Sequence, residues 1–152
     1  MGNRGVIKFD DIPTGIYLHW NGSIESVLAF LEATRQRIGP ARQGANLIGT
    51  IQTVANYFEY DGLSLYVGPV AEMDQDNHDN GTFIVRGYEI VRRDFNVWPH
   101  GSCTPKTADE LSKTQRAYYE AVLSEVLKKN TLGEGGEYGA NSVEHGRTAA
   151  AS

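Results

Sequence analysis

The stretch Gly15-Ile16-Tyr17-Leu18-His19-Trp20-Asn21-Gly22-Ser23-Ile24-Glu25-Ser26-Val27-Leu28-Ala29-Phe30-Leu31 changes its hydrophobic period part-way along. Up to Trp20 it alternates. Ile16, Leu18 and Trp20 fall on one face and Tyr17 and His19 on the other, the period of a strand. Asn21-Gly22 is a turn signal, and beyond it Val27, Leu28, Leu31 and Ile38 recur at helical spacing, with Phe30 widening the stripe. The reading is a strand at 16–20 followed by a helix over 23–38. Arg35 and Arg37 sit near the end of that helix, and Gly39-Pro40 stops it.

Upstream, Gly5-Val6-Ile7-Lys8-Phe9 reads as a strand and Asp10-Asp11-Ile12-Pro13-Thr14-Gly15 as the turn after it. Downstream, Leu47, Ile51, Val54, Ala55 and Phe58 predict a second helix over 45–60, which Gly49 weakens. Asp61-Gly62 then turns the chain into a strand at 63–67. A polar loop over 74–81 closes on a hairpin-type Asn80-Gly81 pair, and 82–95 predicts one long strand or two broken at Gly87. Thr107-Ala108-Asp109-Glu110 fits a capping box and predicts a helix to about residue 129, with Lys128 and Lys129 suited to its dipole.

The apolar positions of that last helix, Leu111, Tyr118, Tyr119, Val122, Leu123, Val126 and Leu127, fill two adjacent stripes. Either both are buried within one domain, or the second meets another copy of the chain. From Thr131 onward the composition is too poor in apolar groups to offset ordering. The expectation is an α+β fold with an antiparallel sheet packed against helices, a long C-terminal helix and a flexible C-terminal tail. Residues 1–130 form a single domain and 131–152 a disordered tail.

Composition narrows the function classes. The 152 residues carry 14 Lys+Arg against 19 Asp+Glu, a net charge of −5, so no general attraction to polymeric nucleic acid or anionic lipid is expected. One cysteine, Cys103, leaves no disulfide framework and no cysteine-based zinc site. The first residues lack the apolar core of a signal peptide, and no run approaches the roughly 18 apolar residues of a membrane span. Asn21-Gly22-Ser23 and Asn80-Gly81-Thr82 match glycosylation sequons but read better as turns. A cytoplasmic protein without membrane contact is expected.

Catalytic and metal patterns are weak. The loop Asp74-Gln75-Asp76-Asn77-His78-Asp79-Asn80-Gly81 invites a calcium register from Asp76, but its twelfth position is Gly87 where a bidentate glutamate is required. His19, His78, His100 and His145 are isolated, with no pair one helical turn apart. His19 has the titration range for acid–base chemistry but alternates with aromatics as a structural histidine would. There is no nucleophile elbow, Walker loop or dinucleotide fingerprint, and Cys103 lacks an activating setting. The chain therefore reads as a binding protein and not an enzyme, with no metal and no cofactor.

For binding, Tyr17, Trp20, Tyr57, Phe58, Tyr66 and Tyr88 offer stacking faces, and Asn3, Asn21, Asn56 and Asn80 offer paired donors and acceptors. Arg4, Arg86, Arg92 and Arg93 could clamp phosphate. Together these suit a nucleotide. Packed aromatics and solvated arginines would satisfy the same composition.

Several blocks carry a resemblance. Gly2-Asn3-Arg4-Gly5-Val6-Ile7, Gly15-Ile16-Tyr17-Leu18-His19-Trp20-Asn21-Gly22, Ser26-Val27-Leu28-Ala29-Phe30-Leu31, Asn56-Tyr57-Phe58 and Asp76-Asn77-His78-Asp79-Asn80-Gly81 resemble phage-encoded Thoeris anti-defence proteins of the signal-sequestering, or sponge, type. The resemblance spans roughly residues 2–92 and implies binding of a cyclic ADP-ribose isomer without cleavage. It also implies assembly as a dimer or larger homo-oligomer, and in some members separate sites for cyclic oligonucleotides. The chemistry of the matching blocks points to Asn3, Arg4, Tyr17, His19, Trp20, Asn21, Phe58, Asn80 and Arg86 as ligand-binding residues. In this picture Trp20 or Phe58 stacks the adenine, and Arg4 or Arg86 meets the pyrophosphate. Two rivals stay open: a phage inhibitor that blocks a host defence protein by direct contact, and a small nucleotide-processing enzyme.

Overall fold

The computed structural model describes residues 3–42, 44–75, 78–95 and 101–135. Its strands are β1 (Gly5–Phe9), β2 (Thr14–Leu18), β3 (Leu65–Pro69), β4 (Thr82–Arg86), β5 (Glu89–Phe95) and β6 (Gly101–Cys103). Its helices are α1 (Ile24–Ile38), α2 (Ala45–Tyr57) and α3 (Lys113–Gly135). The strands form one sheet in the order β3-β2-β1-β4-β5-β6. All neighbours are antiparallel except β1 and β4, which run parallel with Ile7 opposite Phe83. The α+β class is as the periodicities predict; the parallel pair is an addition.

Alternation along the strands decides which face takes the helices. Ile7 and Phe9, Ile16 and Leu18, and Phe83 and Val85 point to one side, where they join Val27, Phe30 and Leu31 of α1, Val54 of α2 and Val126 of α3 in one core. On the other side a 3₁₀ turn at Val70–Glu72 lays Val70 and Met73 over Val6 and Tyr17. The three helices pack on one another. Gly49, which weakens the helical reading of α2, is where the two helices touch: a Cβ there would meet Ile38 Cδ1 at 2.7 Å. Beside it Thr34 Oγ1 donates to Thr53 Oγ1 at 2.9 Å inside the core.

Several boundaries move for physical reasons. Strand β2 begins at Thr14 and ends at Leu18, because Val70 N–H donates to Pro13 O and draws the turn into the ladder. Helix α2 ends at Tyr57, where Glu59 and Tyr60 take left-handed φ values of 56° and 61°. The capping box at Thr107 starts only a 3₁₀ turn, Ala108–Glu110, with Thr107 N–H donating to Glu110 Oε1 at 2.9 Å. The helix itself is opened by a second reciprocal pair. Gln115 N–H donates to Ser112 Oγ at 3.2 Å, and Ser112 N–H donates to Gln115 Oε1 at 3.1 Å. It then runs to Gly135, into the segment expected as tail; residues 136–152 lie outside the described ones.

The two apolar stripes of α3 both find partners at home. Tyr119, Val122 and Val126 are buried, and Leu111, Leu123 and Leu127 pack against the same core, leaving Tyr118 42 % exposed. The second stripe is covered only in part by the chain's own domain. Lys129 serves the end of α2 and not its own helix: Nζ donates to Tyr57 O at 2.9 Å and pairs with Glu59 at 3.3 Å.

Candidate functional site

The ligand-binding residues expected from sequence divide between the two edges of the sheet that run across the strands, where the strands begin and end. Strands β1 and β4 start, and β2 ends, at one edge, so Asn3, Arg4, Asn80, Trp20 and Asn21 gather there. Arg4 O accepts from Asn80 N–H at 3.1 Å, and Asn3 O accepts from Gly22 N–H at 2.7 Å. The Asn80 side-chain amide donates to Asn3 Oδ1 at 2.8 Å and to Arg4 O at 3.0 Å. Gly22 is obligatory for this closure, since a Cβ on it would lie 2.5 Å from the Gly5 nitrogen and 2.6 Å from Arg4 carbonyl carbon. The Tyr-Leu-His-Trp-Asn-Gly block is thereby explained in part by folding: Asn21 adopts a left-handed φ of 56° and Gly22 lets the N-terminal strand approach.

Charges at this edge are mostly matched. Arg4 Nε donates to Asp79 Oδ2 at 2.8 Å, and its other arm reaches Asp74 at 3.6 Å. Burial alone would push the Asp79 pKa up, but the side-chain and backbone hydrogen bonds from Arg4 hold it below the usual carboxylate value. Tyr17 Oη lies 3.1 Å from His19 Nδ1, and the His19 ring meets Trp20 edge-on at 4.7 Å. Burial raises the Tyr17 pKa. Trp20 itself is half exposed. Phe58 joins this region through Tyr57, which it meets edge-on at 5.0 Å, and Asn21 Nδ2 approaches Tyr57 Oη at 3.5 Å. Phe58 packs on the core, so it is a poor stacking platform.

Arg86 lies at the opposite edge, roughly 13 Å away along strands that rise about 3.3 Å per residue. There its guanidinium holds Asp10, with Nε 3.0 Å from Oδ2, and lowers the Asp10 pKa. That edge carries a cavity of about 660 Å³ lined by Phe9, Asp10, Ile12, Arg42, Asn46 and Arg86, among others. Its size is that of an ordinary small-ligand pocket, roughly 300–1,000 Å³. Helix α2 opens onto it with Gly44 as N-cap at φ 81°, no side-chain cap and no acidic residue in its first turn. The amides of such a first turn lack helical partners and carry about half a positive charge between them. Asn46 Nδ2 donates to Gly87 O at 2.8 Å and ties the helix start to the β4–β5 hairpin. Arg42 makes no ion pair among the described residues, and neither does Asp11 on the same lining, so the cavity sets two arginines against two aspartates beside a helix start.

A second cavity, about 620 Å³, lies between β5, α1 and α3 and is lined by Glu32, Glu89, Asp109 and Glu110 against the single Lys106. Its charge disfavours a phosphate. Among the described residues no group of three or more His, Cys, Asp or Glu is placed to hold a metal ion, and no helix is long and apolar enough to cross a membrane.

No known protein family, no curated protein and no solved structure matches the chain. Sequence reasoning named Arg86 but missed Arg42 and Asn46. The signal was present in Gly39-Pro40-Ala41-Arg42-Gln43-Gly44, a loop that delivers a cation to a helix beginning with glycine where a capping side chain is usual.

Proposed function

We propose that the chain binds a small phosphate-bearing nucleotide and holds it unaltered, as a sponge for a cyclic ADP-ribose isomer would. The observation that carries this reading is the cavity beneath Arg42 and Arg86 at the uncapped start of α2. Phosphate oxygens would accept from the α2 amides and the Arg42 guanidinium, and the nucleoside would lie over Phe9 and Ile12. Sequestration asks only for affinity: a nanomolar dissociation constant, about −12 kcal/mol, keeps a signal from its receptor when the sponge is in excess. The resemblance suggests the ligand class and a homo-oligomer, and the cavity at the start of α2 supports this location for the ligand.

Calorimetry with cyclic ADP-ribose isomers tests the reading. Wild type should release heat with at least one isomer, and Arg42→Ala should weaken that binding by about ten- to a hundredfold, the loss of a charge-assisted hydrogen bond of about 1.5–3 kcal/mol. Ligand recovered by heating the complex should have its original mass. A product of altered mass would make the protein an enzyme, and no heat with any isomer would end the proposal.

A contact inhibitor is the second reading, favoured by exposed Tyr60, Leu63 and Tyr66 around the start of the edge strand β3. A host protein retained by wild type and lost by Leu63→Asp, without nucleotide binding, would select it.

A further inference from the structure

Four arginines stand out from the sequence as phosphate clamps, and three of them are already occupied by carboxylates. Arg4 holds Asp79, Arg86 holds Asp10 and Arg92 holds Asp94. Arg93 has no such partner among the described residues. Successive residues of β5 point to opposite faces, so Arg93 lies on the helix side, opposite Phe83, while Asp94 faces away. Its guanidinium sits 4.8 Å from the centre of the Phe83 ring and 4.8 Å from that of Phe95. Nε donates to Asn80 O at 2.9 Å and Nη2 to Asn80 Oδ1 at 3.1 Å. Nη1 makes no hydrogen bond among the described residues.

We propose that Arg93 is an oxyanion-binding residue: the free edge of its guanidinium receives a phosphate or pyrophosphate group at the sheet edge opposite the Arg42 cavity. A cation drawn out of water costs free energy unless an anion matches it. Aromatic faces and a carbonyl oxygen compensate only in part. The fold has also spent effort on aiming this group. Asn80 fixes one edge, while its own amide is held by Asn3 and Arg4, so the guanidinium is preorganised before any ligand arrives. Partial burial pulls the Arg93 pKa down, yet an arginine stays charged. Among the described residues, Glu25, in the first turn of α1, and the thiol of Cys103 are the ionisable groups that act on it, and neither is bonded to it. Glu25 is thus a repulsive neighbour for an incoming oxyanion and not a substitute for one. The site goes beyond the proposed function, because it needs neither the cavity nor a nucleoside.

The test is a titration of protein carrying ¹⁵N-labelled arginine with inorganic phosphate, pyrophosphate and ADP, following the side-chain Nε–H signals. The signal that Arg93→Gln removes should shift saturably with pyrophosphate. Arg93→Gln should weaken binding at least fivefold, and Glu25→Gln should strengthen it about threefold. Stronger binding of ADP than of pyrophosphate would assign the oxyanion to a nucleotide, and equal binding to the free ion; either supports the site. Should Arg93→Gln not fold, the Glu25→Gln titration decides alone. An Arg93 signal that stays still while those of Arg42 or Arg86 move, or affinity unchanged in Glu25→Gln, would overturn the proposal without touching the cavity reading.

Discussion

Asp79 shows how a single side chain fixes the entry of the chain into its sheet. Its carboxylate takes both the backbone and the side-chain donors of Arg4, and its side chain is only 10 % exposed. Because its folded pKa is depressed, the unfolded chain takes up the proton first as pH falls. The contribution of Asp79 is therefore complete above an unfolded pKa of about 3.9 and is lost as pH drops through the lower folded value. Asp79→Asn should cost about 1–2 kcal/mol near neutrality. It should also flatten the acid limb of a thermal-melting curve taken against pH. An acid limb of unchanged slope would show that other carboxylates dominate. Gly22 makes the complementary case in pure sterics. Every atom nearest to its missing Cβ is backbone, so nothing flexible can yield, and Gly22→Ala should destabilise by roughly 2–3 kcal/mol in chemical denaturation. Gly44→Ala has open space around it and opposes only the positive φ, so its cost should stay near 1 kcal/mol.

At the level of elements, what could be read from the chain followed from local period and what could not depended on distant partners. Strands β1, β2 and β4 and helices α1 and α2 came through because their apolar residues repeat at 2 or 3.6. Strand β3 lay two residues further on than expected, ending in Pro69, which an edge strand tolerates because no neighbour needs its N–H. Strand β6 is three exposed residues, Gly101–Cys103, with no period to detect. The parallel pairing of β1 with β4 goes with the docking of Asn80 N–H on Arg4 O, a distant contact that no local pattern records. The same holds for the candidate sites. Residue types suited to a nucleotide were visible, but which arginines were already neutralised was not. The start of α3 carries a clean local test. Ser112→Ala should remove one N-terminal bond and cost about 1 kcal/mol. Thr107→Ala should cost less, because it caps only a three-residue 3₁₀ turn. The reverse order, measured by urea denaturation of the two variants, would return the helix start to Thr107.

Across the whole molecule, helices and sheet share one core, and this has a thermodynamic consequence. Val126 of α3, fully buried, belongs to the same cluster as Phe30 of α1, Val54 of α2 and Ile7 and Phe83 at the centre of the sheet. Helix α3 comes last in the chain and is joined to the sheet by the segment after β6, so it could have been an appendage that melts separately. Its docking argues otherwise. It packs on both other helices, Arg116 donates to Ala108 O at 2.7 Å, and Lys129 closes the end of α2. Truncating Val126 to alanine removes two buried methyl groups and should cost about 1.5–3 kcal/mol. For a body of this size that lowers the melting temperature by several degrees, on the order of 2–4 °C per kcal/mol. If the core is single, the loss must appear equally in every probe: far-UV circular dichroism, which weights the helices, and the fluorescence of a variant with Trp20 as its one tryptophan, which reports the sheet edge. Both should shift together with unchanged cooperativity. A helical transition that moves down alone, leaving the Trp20 signal in place, would mean that α3 is a separable unit and that the sheet with α1 and α2 can hold both candidate anion sites without it.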